Sequence, residues 1–400
     1  MQYRTDSKSG NSLSILGFGC MRFPRKNIKQ IDTEKTGQLI VNAAARGINY
    51  FDTAFTYGGS EEILGQIIKD NNLREKIFLA TKLPLIKFRK YRDFNAFFNT
   101  QLERLQTDYL DYYLLHNLSS MELWKTLCEI GIERWIKEKK EAGQIKNIGF
   151  SFHGRQNEFP QLLEAYEWDF CQIQYNYINI NYQAGLAGLK KASEKGLPVF
   201  IMEPLLGGKL ASGLPKKALK TFKSANSALT PAAWALRWLW NQKEVTMVLS
   251  GMNSESQLEE NIQTADNAAA GMLNEEENAA YNSVIKTFND SYKIQCTGCN
   301  YCMPCPRNVN IPGCFAAYNL SYTAGMYAGV QQYLTSTGTA GPAHQGGAGI
   351  SFAASNCRQC GECEKRCPQH IPIAKLMKKT AKRMESFWVR SALKMLRKFN

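Results

Sequence analysis

From Leu13 to about Asp266, short apolar runs alternate with longer segments in which apolar residues recur at helical spacing. This alternation predicts repeated strand, helix, strand units around a parallel sheet. Eight strands are predicted, at Ile15–Gly19, Ile48–Phe51, Ile77–Ala80, Tyr109–Leu115, Ile145–Phe150, Cys171–Gln174, Val199–Met202 and Val245–Leu249. The helices predicted between them include Thr33–Arg46, Glu61–Lys69, Asn95–Leu105, Glu122–Ala142, Ala184–Lys195, Ala232–Trp240 and Glu255–Ala265.

Eight strands is the number that closes a (β/α)8 barrel. The periodicity alone fits a doubly wound open sheet equally well, so both folds stay open at this point. The chain has 400 residues, of which 44% are hydrophobic and 21% charged. That length suits one barrel of about 250 residues plus a smaller domain, and the composition indicates a folded core rather than disorder.

The pattern changes after residue 270. A polar helix is predicted over Asn274–Phe288, followed by a region rich in Cys, Gly and Pro with little helix or strand periodicity. We place the boundary near Asp290 and predict three parts, at residues 1–290, 291–370 and 371–400. Within the second part, Thr335–Gly349 is rich in small residues and is predicted to be a flexible surface connection.

Two features bear on location and partners. Met1 to Asp6 lack the apolar segment of a signal peptide, and the apolar run that begins at Ala232 is interrupted by Arg237 before it could span a bilayer. We therefore expect a cytoplasmic protein with no transmembrane segment. The net charge of +14 is concentrated in residues 371–400, which hold nine Lys or Arg and one Glu. Nucleic-acid binders spread basic charge over their folded domains, so we expect no nucleic-acid partner.

Four polar residues occur at or shortly after the ends of predicted strands: Asp52, Tyr57, Lys82 and His116. In a barrel they converge on one mouth. Tyr57 would protonate a carbonyl oxygen, with Lys82 easing proton loss from a phenol whose ordinary pKa is about 10. Asp52 would hold Lys82, and His116 would orient the carbonyl. Taken singly, each residue also suits an ordinary structural role.

Taken together, the segments around these residues resemble the Asp, Tyr, Lys, His tetrad of the aldo/keto reductase family. The segments are Phe51-Asp52-Thr53-Ala54, Tyr57-Gly58, Ala80-Thr81-Lys82 and Leu114-Leu115-His116-Asn117. The resemblance runs from Leu16 to Asn261, about two thirds of the chain. It implies a (β/α)8 barrel that reduces carbonyl compounds with NADP or NAD.

The resemblance also implies contacts with the nicotinamide. Ser151 and Gln172 match the positions that hold the carboxamide, although Phe152 replaces the family's usual Asn. Met202 stands where an aromatic residue commonly stacks on the nicotinamide, and Pro204 and Leu205 follow it.

At the adenosine end, the implied cofactor positions are Gly251, Asn253, Gln257 and Asn261. The family often uses Lys and Arg in this segment to grip the 2′-phosphate of NADP, but residues 250–261 contain neither. Backbone N–H groups at the start of a helix can still hold a phosphate. The choice between NADH and NADPH therefore stays open.

Eight of the twelve cysteines form two runs, Cys296, Cys299, Cys302 and Cys305 before Pro306, and Cys357, Cys360, Cys363 and Cys367 before Pro368. The second run has the bacterial ferredoxin spacing C-x2-C-x2-C-x3-C-P, whose fourth cysteine binds the other cluster in two-cluster proteins. Paired C-x2-C motifs also suit zinc. The ferredoxin resemblance implies one 4Fe-4S cluster on Cys296, Cys299, Cys302 and Cys367, and another on Cys357, Cys360, Cys363 and Cys305.

The other four cysteines, Cys20, Cys128, Cys171 and Cys314, are predicted to be buried small residues. At the C-terminus, one helical face carries Ile373, Leu376, Met377, Met384, Phe387, Trp388 and Met395. This stripe predicts a helix packed on the ferredoxin-like domain with its basic face in solvent. Docking to an acidic redox partner or to a membrane surface is the alternative.

The leading hypothesis is an oxidoreductase that transfers hydride between a nicotinamide and a small aldehyde, ketone or quinone. The two clusters would transfer electrons, with a redox protein as a further partner, or support the fold. The alternatives are an electron-transfer protein in which the barrel binds nucleotide and docks partners, and a redox sensor. Arg22 near the barrel mouth hints at a carboxylate-bearing substrate.

Overall fold

The computed structural model describes residues 1–27, 30–85, 88, 90–339, 352–391 and 393. The chain divides into two compact units, the first made of Met1–Leu205 and Ala232–Asn274, the second of Leu206–Pro231 and Glu275–Asn400. From residue 340 onward, the predicted connection Thr335–Gly349 lies outside the described residues.

The first unit is built around a closed barrel of eight parallel strands. The chain enters through an antiparallel hairpin, β1 (Tyr3–Thr5) and β2 (Ser12–Ser14), and a second short pair, β4 (Arg25–Asn27) and β5 (Gln30–Ile31), follows the first barrel strand. The barrel strands are β3 (Leu16–Gly19), β6 (Tyr50–Asp52), β7 (Phe78–Pro84), β8 (Leu110–His116), β9 (Ile145–Phe152), β10 (Phe170–Gln174), β11 (Val199–Met202) and β12 (Met247–Ser250). They pair in chain order, and β12 closes the barrel on β3. The barrel prediction is confirmed over the open sheet.

Helices connect the barrel strands. In the first unit they are α1 (Thr33–Ala45), α2 (Ser60–Asp70), α3 (Tyr91–Leu105), α4 (Met121–Ile130), α5 (Ile132–Glu141), α6 (Phe159–Glu164) and α7 (Gly185–Glu194); α8 (Lys209–Ser212) and α9 (Lys216–Ala225) belong to the second unit; α10 (Pro231–Trp240) and α11 (Glu255–Asp266) complete the set. The single helix predicted over Glu122–Ala142 is wrong. Gly131 adopts φ +98°, which ends α4 and starts α5.

Side chains alternate along the strands between the barrel interior and the surrounding helices. The interior is filled by Leu13, Tyr50, Ala80, Tyr112, Leu114, Phe170, Phe200, Met247 and Leu249, all buried. On β3 the interior position belongs to Gly17, where a Cβ would stand 2.7 Å from Leu249 Cδ2 and from Met247 Sδ. The floor of the barrel is therefore solid, and a ligand can enter only above this layer.

The second unit is helical in its described part. It contains α12 (Glu275–Ser291), α13 (Ile311–Thr323), α14 (Met326–Leu334), α15 (Glu362–Lys365) and α16 (Ile373–Met384), besides α8 and α9. Sequence periodicity did not reveal α13 because this helix buries residues around most of its circumference, among them Ile311, Cys314 and Phe315. A helix without a polar face gives no amphipathic signal.

The predicted domain limits differ from these units in two places. Residues 206–231 interrupt the barrel sequence yet group with the second unit. The trailing helix α12, which the sequence analysis placed in the barrel domain, also groups there. Its Tyr281 packs edge-on against Phe222 of α9, with ring centroids 5.6 Å apart.

The C-terminal helix is shorter than predicted. Helix α16 ends at Met384, Glu385 and Ser386 form a break, and residues 387–391 and 393 are again helical. Ile373, Met377 and Met384 are buried, as the predicted stripe requires, but Phe387 and Trp388 are 76% and 79% exposed. The prediction is wrong for these two because Glu385 and Ser386 interrupt the helix, so the stripe does not continue across the break. Met395 lies outside the described residues.

Candidate functional site

The end of the barrel toward which all eight strands run carries a ring of side chains that the sequence analysis predicted to be functional. Because strand side chains alternate, a residue two positions beyond an interior residue also faces inward. Beyond the interior residues named above, this rule gives Asp52 on β6, Lys82 on β7, His116 on β8, Gln172 on β10 and Met202 on β11. Parallel strands place all of them at one mouth.

Asp52 and Lys82 form a buried ion pair. Lys82 Nζ donates to Asp52 Oδ1 at 2.5 Å and to the Thr53 carbonyl oxygen at 2.7 Å. Burial raises the pKa of Asp52, and the Lys82 charge acts in the opposite direction. A buried charge without its partner is costly, so Lys82 and Asp52 stay paired. This pairing fixes the position of the Lys82 ammonium group.

Tyr57 lies on the turn after β6 and contacts two of the other three members of the predicted tetrad, Lys82 and His116. The Lys82 ammonium is 5.1 Å from the centre of the Tyr57 ring, and the His116 ring meets the Tyr57 ring edge-on at 6.0 Å between centroids. Burial, followed by the charges of Asp52 and Glu203, raises the pKa of Tyr57 well above its ordinary value. These effects outweigh the lowering expected from Lys82, so Tyr57 is a protonated donor at neutral pH.

His116 is held in its neutral form. Burial lowers its pKa well below the ordinary value, and the positive charge of Lys82 and the neighbouring His153 lower it further. A neutral imidazole carries one N–H donor and one acceptor. His153 follows β9, is buried, and places Nδ1 3.1 Å from Gln183 Oε1. The sequence analysis did not identify His153.

Three polar residues, Asn117, Ser151 and Gln172, lie toward the ends of β8, β9 and β10. Ser151 faces Gln172 in the strand register, and Ser151 Oγ accepts a hydrogen bond from the Asn117 N–H at 2.8 Å. Within the described part of the chain, Gln172 Oε1 and Asn117 Oδ1 are buried and accept no hydrogen bond. Buried acceptors of this kind are costly unless a ligand satisfies them. They fit an amide-bearing ligand such as the nicotinamide carboxamide.

Asn117 is a residue that the sequence analysis missed. Its signal was its position directly after His116, where an Asn tolerates the left-handed φ of +60° that the structure shows. On the other side of the mouth, Met202 ends β11, and Pro204 and Leu205 follow it. The side-chain amide of Asn176 donates to the Glu203 carbonyl oxygen at 3.3 Å, which fixes this part of the rim.

The loop between β12 and α11 is braced by side chains predicted to contact the adenosine end. Asn261 Nδ2 donates to Ser250 Oγ at 3.1 Å, and the Asn253 N–H donates to Gln257 Oε1 at 2.9 Å. A Cβ placed on Gly251 would stand 3.6 Å from Arg22 Cβ. The structure thus places a guanidinium side chain next to the loop that itself lacks Lys and Arg.

The cysteines of the second unit surround two cavities. One is lined by Cys296, Cys299, Cys302 and Cys367 together with Ile311, Phe315 and Ile373. The other is lined by Cys305, Cys357, Cys360 and Cys363 together with Val309 and Met377. The structure therefore brings together the same two groups of four cysteines that the ferredoxin resemblance implies, in which the last cysteine of each run joins the other run.

The donor set is that of a 4Fe-4S cluster. Among the residues that the structure describes, no three Cys, His, Asp or Glu side chains are placed to hold one metal ion. Four thiols around an apolar cavity are the ligand set of a 4Fe-4S cluster, whose irons and sulfides lie between the cysteines. Lys209 of α8 donates to the Cys296 carbonyl oxygen, and a Cβ on Gly207 would meet the Thr297 carbonyl oxygen at 2.3 Å. Residues 207–209 thus lie directly against the first cysteine run.

The remaining four cysteines lie outside the two cysteine-lined cavities and are buried or half-buried. Cys20, Cys171 and Cys314 are buried, and Cys128 is half-buried. Burial, with a contribution from Glu133, raises the pKa of the Cys128 thiol to about 12. These thiols are protonated and unreactive at neutral pH.

Comparison with known proteins agrees with both halves of the chain. A sequence model described as the aldo/keto reductase family matches residues 15–286, and one described as a 4Fe-4S dicluster domain matches residues 295–371. L-galactose dehydrogenase of Arabidopsis thaliana is 28% identical over 290 residues, covering 66% of this chain and 87% of that protein. NADH-specific methylglyoxal reductase of Escherichia coli (strain K12) is 25% identical over 276 residues, covering 58% and 83%.

A solved structure shares the barrel. Aldo-keto reductase AKR11C1 from Bacillus halodurans, in its holo form, superposes with a TM-score of 0.59 at 26% identity, covering 71% of this chain and 96% of that one. The family match spans more than half of the chain and includes the whole ring of side chains at the barrel mouth. The chain therefore belongs to the aldo/keto reductase family and carries a 4Fe-4S dicluster domain at its C-terminal end.

Proposed function

We propose that this protein is an NAD(P)-dependent aldo/keto reductase that transfers hydride between the nicotinamide and a small carbonyl compound. The observation that carries the proposal is the contact of Tyr57 with both Lys82 and His116 above a solid barrel floor. A nucleotide-binding scaffold would gain nothing from a desolvated ion pair placed beside a protonated phenol at one mouth.

In the reaction, the nicotinamide supplies hydride to the carbonyl carbon. Tyr57 donates its proton to the carbonyl oxygen, so an alcohol forms and solvent later returns a proton to the phenolate. Lys82 stabilises the phenolate as it forms, and Asp52 fixes Lys82 for that task. Neutral His116 donates a hydrogen bond to the carbonyl oxygen and orients it without competing as an acid.

The rim residues are proposed to hold the cofactor. Ser151, Gln172 and Asn117 bind the carboxamide, supported by the two buried acceptors. Met202, Pro204 and Leu205 flank the nicotinamide. The loop braced by Asn253, Gln257 and Asn261, with Gly251 and the helix start, holds the phosphates.

Either nicotinamide remains a candidate cofactor. The relative in Escherichia coli is named as NADH-specific, and residues 250–261 lack cations. Arg22 beside Gly251 supplies one positive group next to the loop. Kinetics with NADH and NADPH side by side decide between them.

We further propose two 4Fe-4S clusters on the two groups of four cysteines, serving electron transfer to a redox protein or structural support. A second candidate function is an electron-transfer or redox-sensing protein that uses the barrel for docking. It is favoured by the two cysteine-lined cavities. For either function we expect a cytoplasmic location.

The test compares Tyr57→Phe with a Tyr91→Phe control, since Tyr91 begins α3 and its hydroxyl donates to Glu138 of α5. Each protein is purified anaerobically and assayed with NADH and NADPH against aldehydes, ketones and quinones. We expect Tyr57→Phe to lower kcat by about 10²–10⁴-fold, the range for loss of a general acid. Cofactor binding and cluster absorbance should be unchanged. Full turnover in Tyr57→Phe would overturn the assignment, and absence of turnover in the unmodified protein would favour the second candidate.

A further inference from the structure

The C-terminal segment displays two large apolar side chains on a fixed support. Phe387 and Trp388 are 76% and 79% exposed and pack edge-on against each other, with ring centroids 5.6 Å apart. The same helical segment buries Val389 and Leu393 in the core of the second unit. The pair is therefore held outward by a folded helix and is not part of a loose end.

The break before this segment is anchored by a buried carboxylate. Glu385 Oε1 accepts hydrogen bonds from the Tyr333 hydroxyl at 2.6 Å and from the Ser355 N–H at 2.9 Å. Glu385 is the single acidic residue among residues 371–400. Its Oε2 lies 3.9 Å from Arg390 Nε, so Glu385 is buried but partly offsets the charge of Arg390.

Exposed basic side chains lie before and after the aromatic pair in the chain. Four lysines of α16 are exposed, as is the arginine that follows the pair: Lys375, Lys378, Lys379, Lys382 and Arg390. Arg383 packs its guanidinium 3.8 Å over the ring of Tyr322, at the end of α13. Tyr322 is itself exposed, as are Met326 and Tyr327 at the start of α14.

We propose that this basic aromatic surface, defined as Lys375, Lys378, Lys379, Lys382, Phe387, Trp388 and Arg390, docks the protein onto a bilayer that contains anionic lipids. Trp and Phe insert at the depth of the headgroups, and lysines above them gain about 1 kcal/mol each from the negative surface potential. Apolar anchors and basic charge together give reversible binding where either alone is weak. No helix in the described residues is long and apolar enough to cross the bilayer, so docking is peripheral.

A lipid surface fits better than an acidic protein. Protein interfaces are depleted of Lys and enriched in Arg, whereas four of the five cations in this surface are lysines. A protein partner also needs a shaped complement to two protruding rings, while headgroups adapt to them. The inference does not depend on the proposed reductase activity.

The experiment uses the holoprotein with its clusters intact. Vesicles of phosphatidylcholine alone are compared with vesicles containing one quarter phosphatidylglycerol, and bound protein is measured by co-sedimentation at low and high salt. We expect binding to the anionic vesicles, with a loss as salt is raised, and little binding to the neutral ones. Equal binding to both vesicles, or none to either, would overturn the proposal.

Two pairs of variants identify the surface. Phe387→Ser/Trp388→Ser should abolish binding, whereas Leu219→Ser, which removes an exposed apolar side chain elsewhere, should not. Replacing Lys375, Lys378, Lys379 and Lys382 with Gln should weaken binding by about fivefold per lysine. The same exchange at Lys35, Lys69, Lys137 and Lys190, also exposed, lowers the net charge equally and should have a smaller effect.

A second copy of the chain is the competing occupant. Sedimentation velocity of the unmodified protein and of Phe387→Ser/Trp388→Ser distinguishes it from a bilayer. A monomer in both cases supports membrane docking. A dimer that dissociates in the variant would show that the aromatic pair is covered by another protomer and would overturn the proposal.

Discussion

Lys82 Nζ lies 2.5 Å from Asp52 Oδ1, and the two side chains are 1% and 5% exposed. The free energy of desolvating both groups offsets most of their attraction, so the pair adds little to stability as a pair. It does fix an ammonium group 5.1 Å from the centre of the Tyr57 ring. The ion pair is therefore a positioning device, and its contributions to stability and to catalysis can be separated by mutation.

The first prediction separates them. Lys82→Met leaves the Asp52 carboxylate buried without its partner, and we expect the barrel to lose about 3–5 kcal/mol in its free energy of unfolding. The double variant Lys82→Met/Asp52→Asn removes both charges and should recover most of that loss. Neither variant should reduce carbonyl compounds at more than about one hundredth of the normal kcat, because the cation beside Tyr57 is gone. Urea unfolding and turnover are measured on both, and recovery of activity with stability would contradict the catalytic role of Lys82.

The second prediction concerns acid stability. Burial lowers the pKa of His116 below its ordinary value of about 6.5, so between the two pKa values the unfolded chain binds a proton there that the folded chain does not. Stability therefore falls as pH decreases below about 7, until the pKa of the folded state is reached. His116→Gln removes this contribution. We expect its urea midpoint to fall less between about pH 7.5 and pH 5.5 than that of the unmodified protein, and parallel curves would refute the assigned shift.

The barrel could be predicted from sequence because its signals are local. Strands such as Val199–Met202 are continuous apolar runs, and Asp52, Lys82 and His116 stand at strand ends that any parallel barrel brings together. The position of Asn117 after His116 was visible in the sequence, but its surroundings could not be predicted. Its backbone N–H donates to Ser151 Oγ at the end of the neighbouring strand, a contact that no spacing in the sequence encodes.

The C-terminal region shows a second limit of sequence patterns. The sequence predicts a helix whose apolar face continues through Phe387 and Trp388. In the structure the helix is interrupted at Glu385, whose carboxylate accepts hydrogen bonds from Tyr333 and Ser355. Both partners precede Glu385 by tens of residues and come from a region without clear periodicity. Tertiary hydrogen bonds of this kind override the local pattern.

The third prediction tests the crosswise grouping of the cysteines. Two clusters require about eight iron and eight sulfide per chain in anaerobic protein. Cys305→Ser/Cys360→Ser changes two residues of one cavity, so one cluster and about four iron should remain. Cys305→Ser/Cys299→Ser changes one residue in each cavity and should disturb both clusters. Cys128→Ser, outside both cavities, is the matched control. If Cys305→Ser/Cys299→Ser instead retains more iron than Cys305→Ser/Cys360→Ser, each cluster is held by the four cysteines of one run. Zinc without sulfide would overturn iron-sulfur binding.

The fourth prediction concerns electron exchange between the nicotinamide and the clusters. Hydride carries two electrons together, whereas a 4Fe-4S cluster accepts one, so a direct path needs a group that splits the pair. Flavin commonly does so, but the sequence contains no flavin fingerprint, and the proposed set of Asp52, Tyr57, Lys82 and His116 would supply only proton transfer and electrostatic stabilisation. We therefore expect NADH or NADPH alone not to reduce the clusters within one turnover.

The measurement mixes anaerobic, flavin-free protein with each nicotinamide and follows the clusters by EPR and visible bleaching. Dithionite serves as the positive control, because it delivers single electrons and should bleach clusters that NADH leaves oxidised. If the prediction holds, the clusters exchange electrons with a separate redox protein or with a substrate that accepts single electrons, such as a quinone, or they support the fold alone. Adding quinone to dithionite-reduced protein then separates these roles, since only clusters in exchange with the substrate reoxidise. Cluster reduction by NADH or NADPH within the turnover time, without substrate or flavin, would instead establish an internal electron path from the barrel.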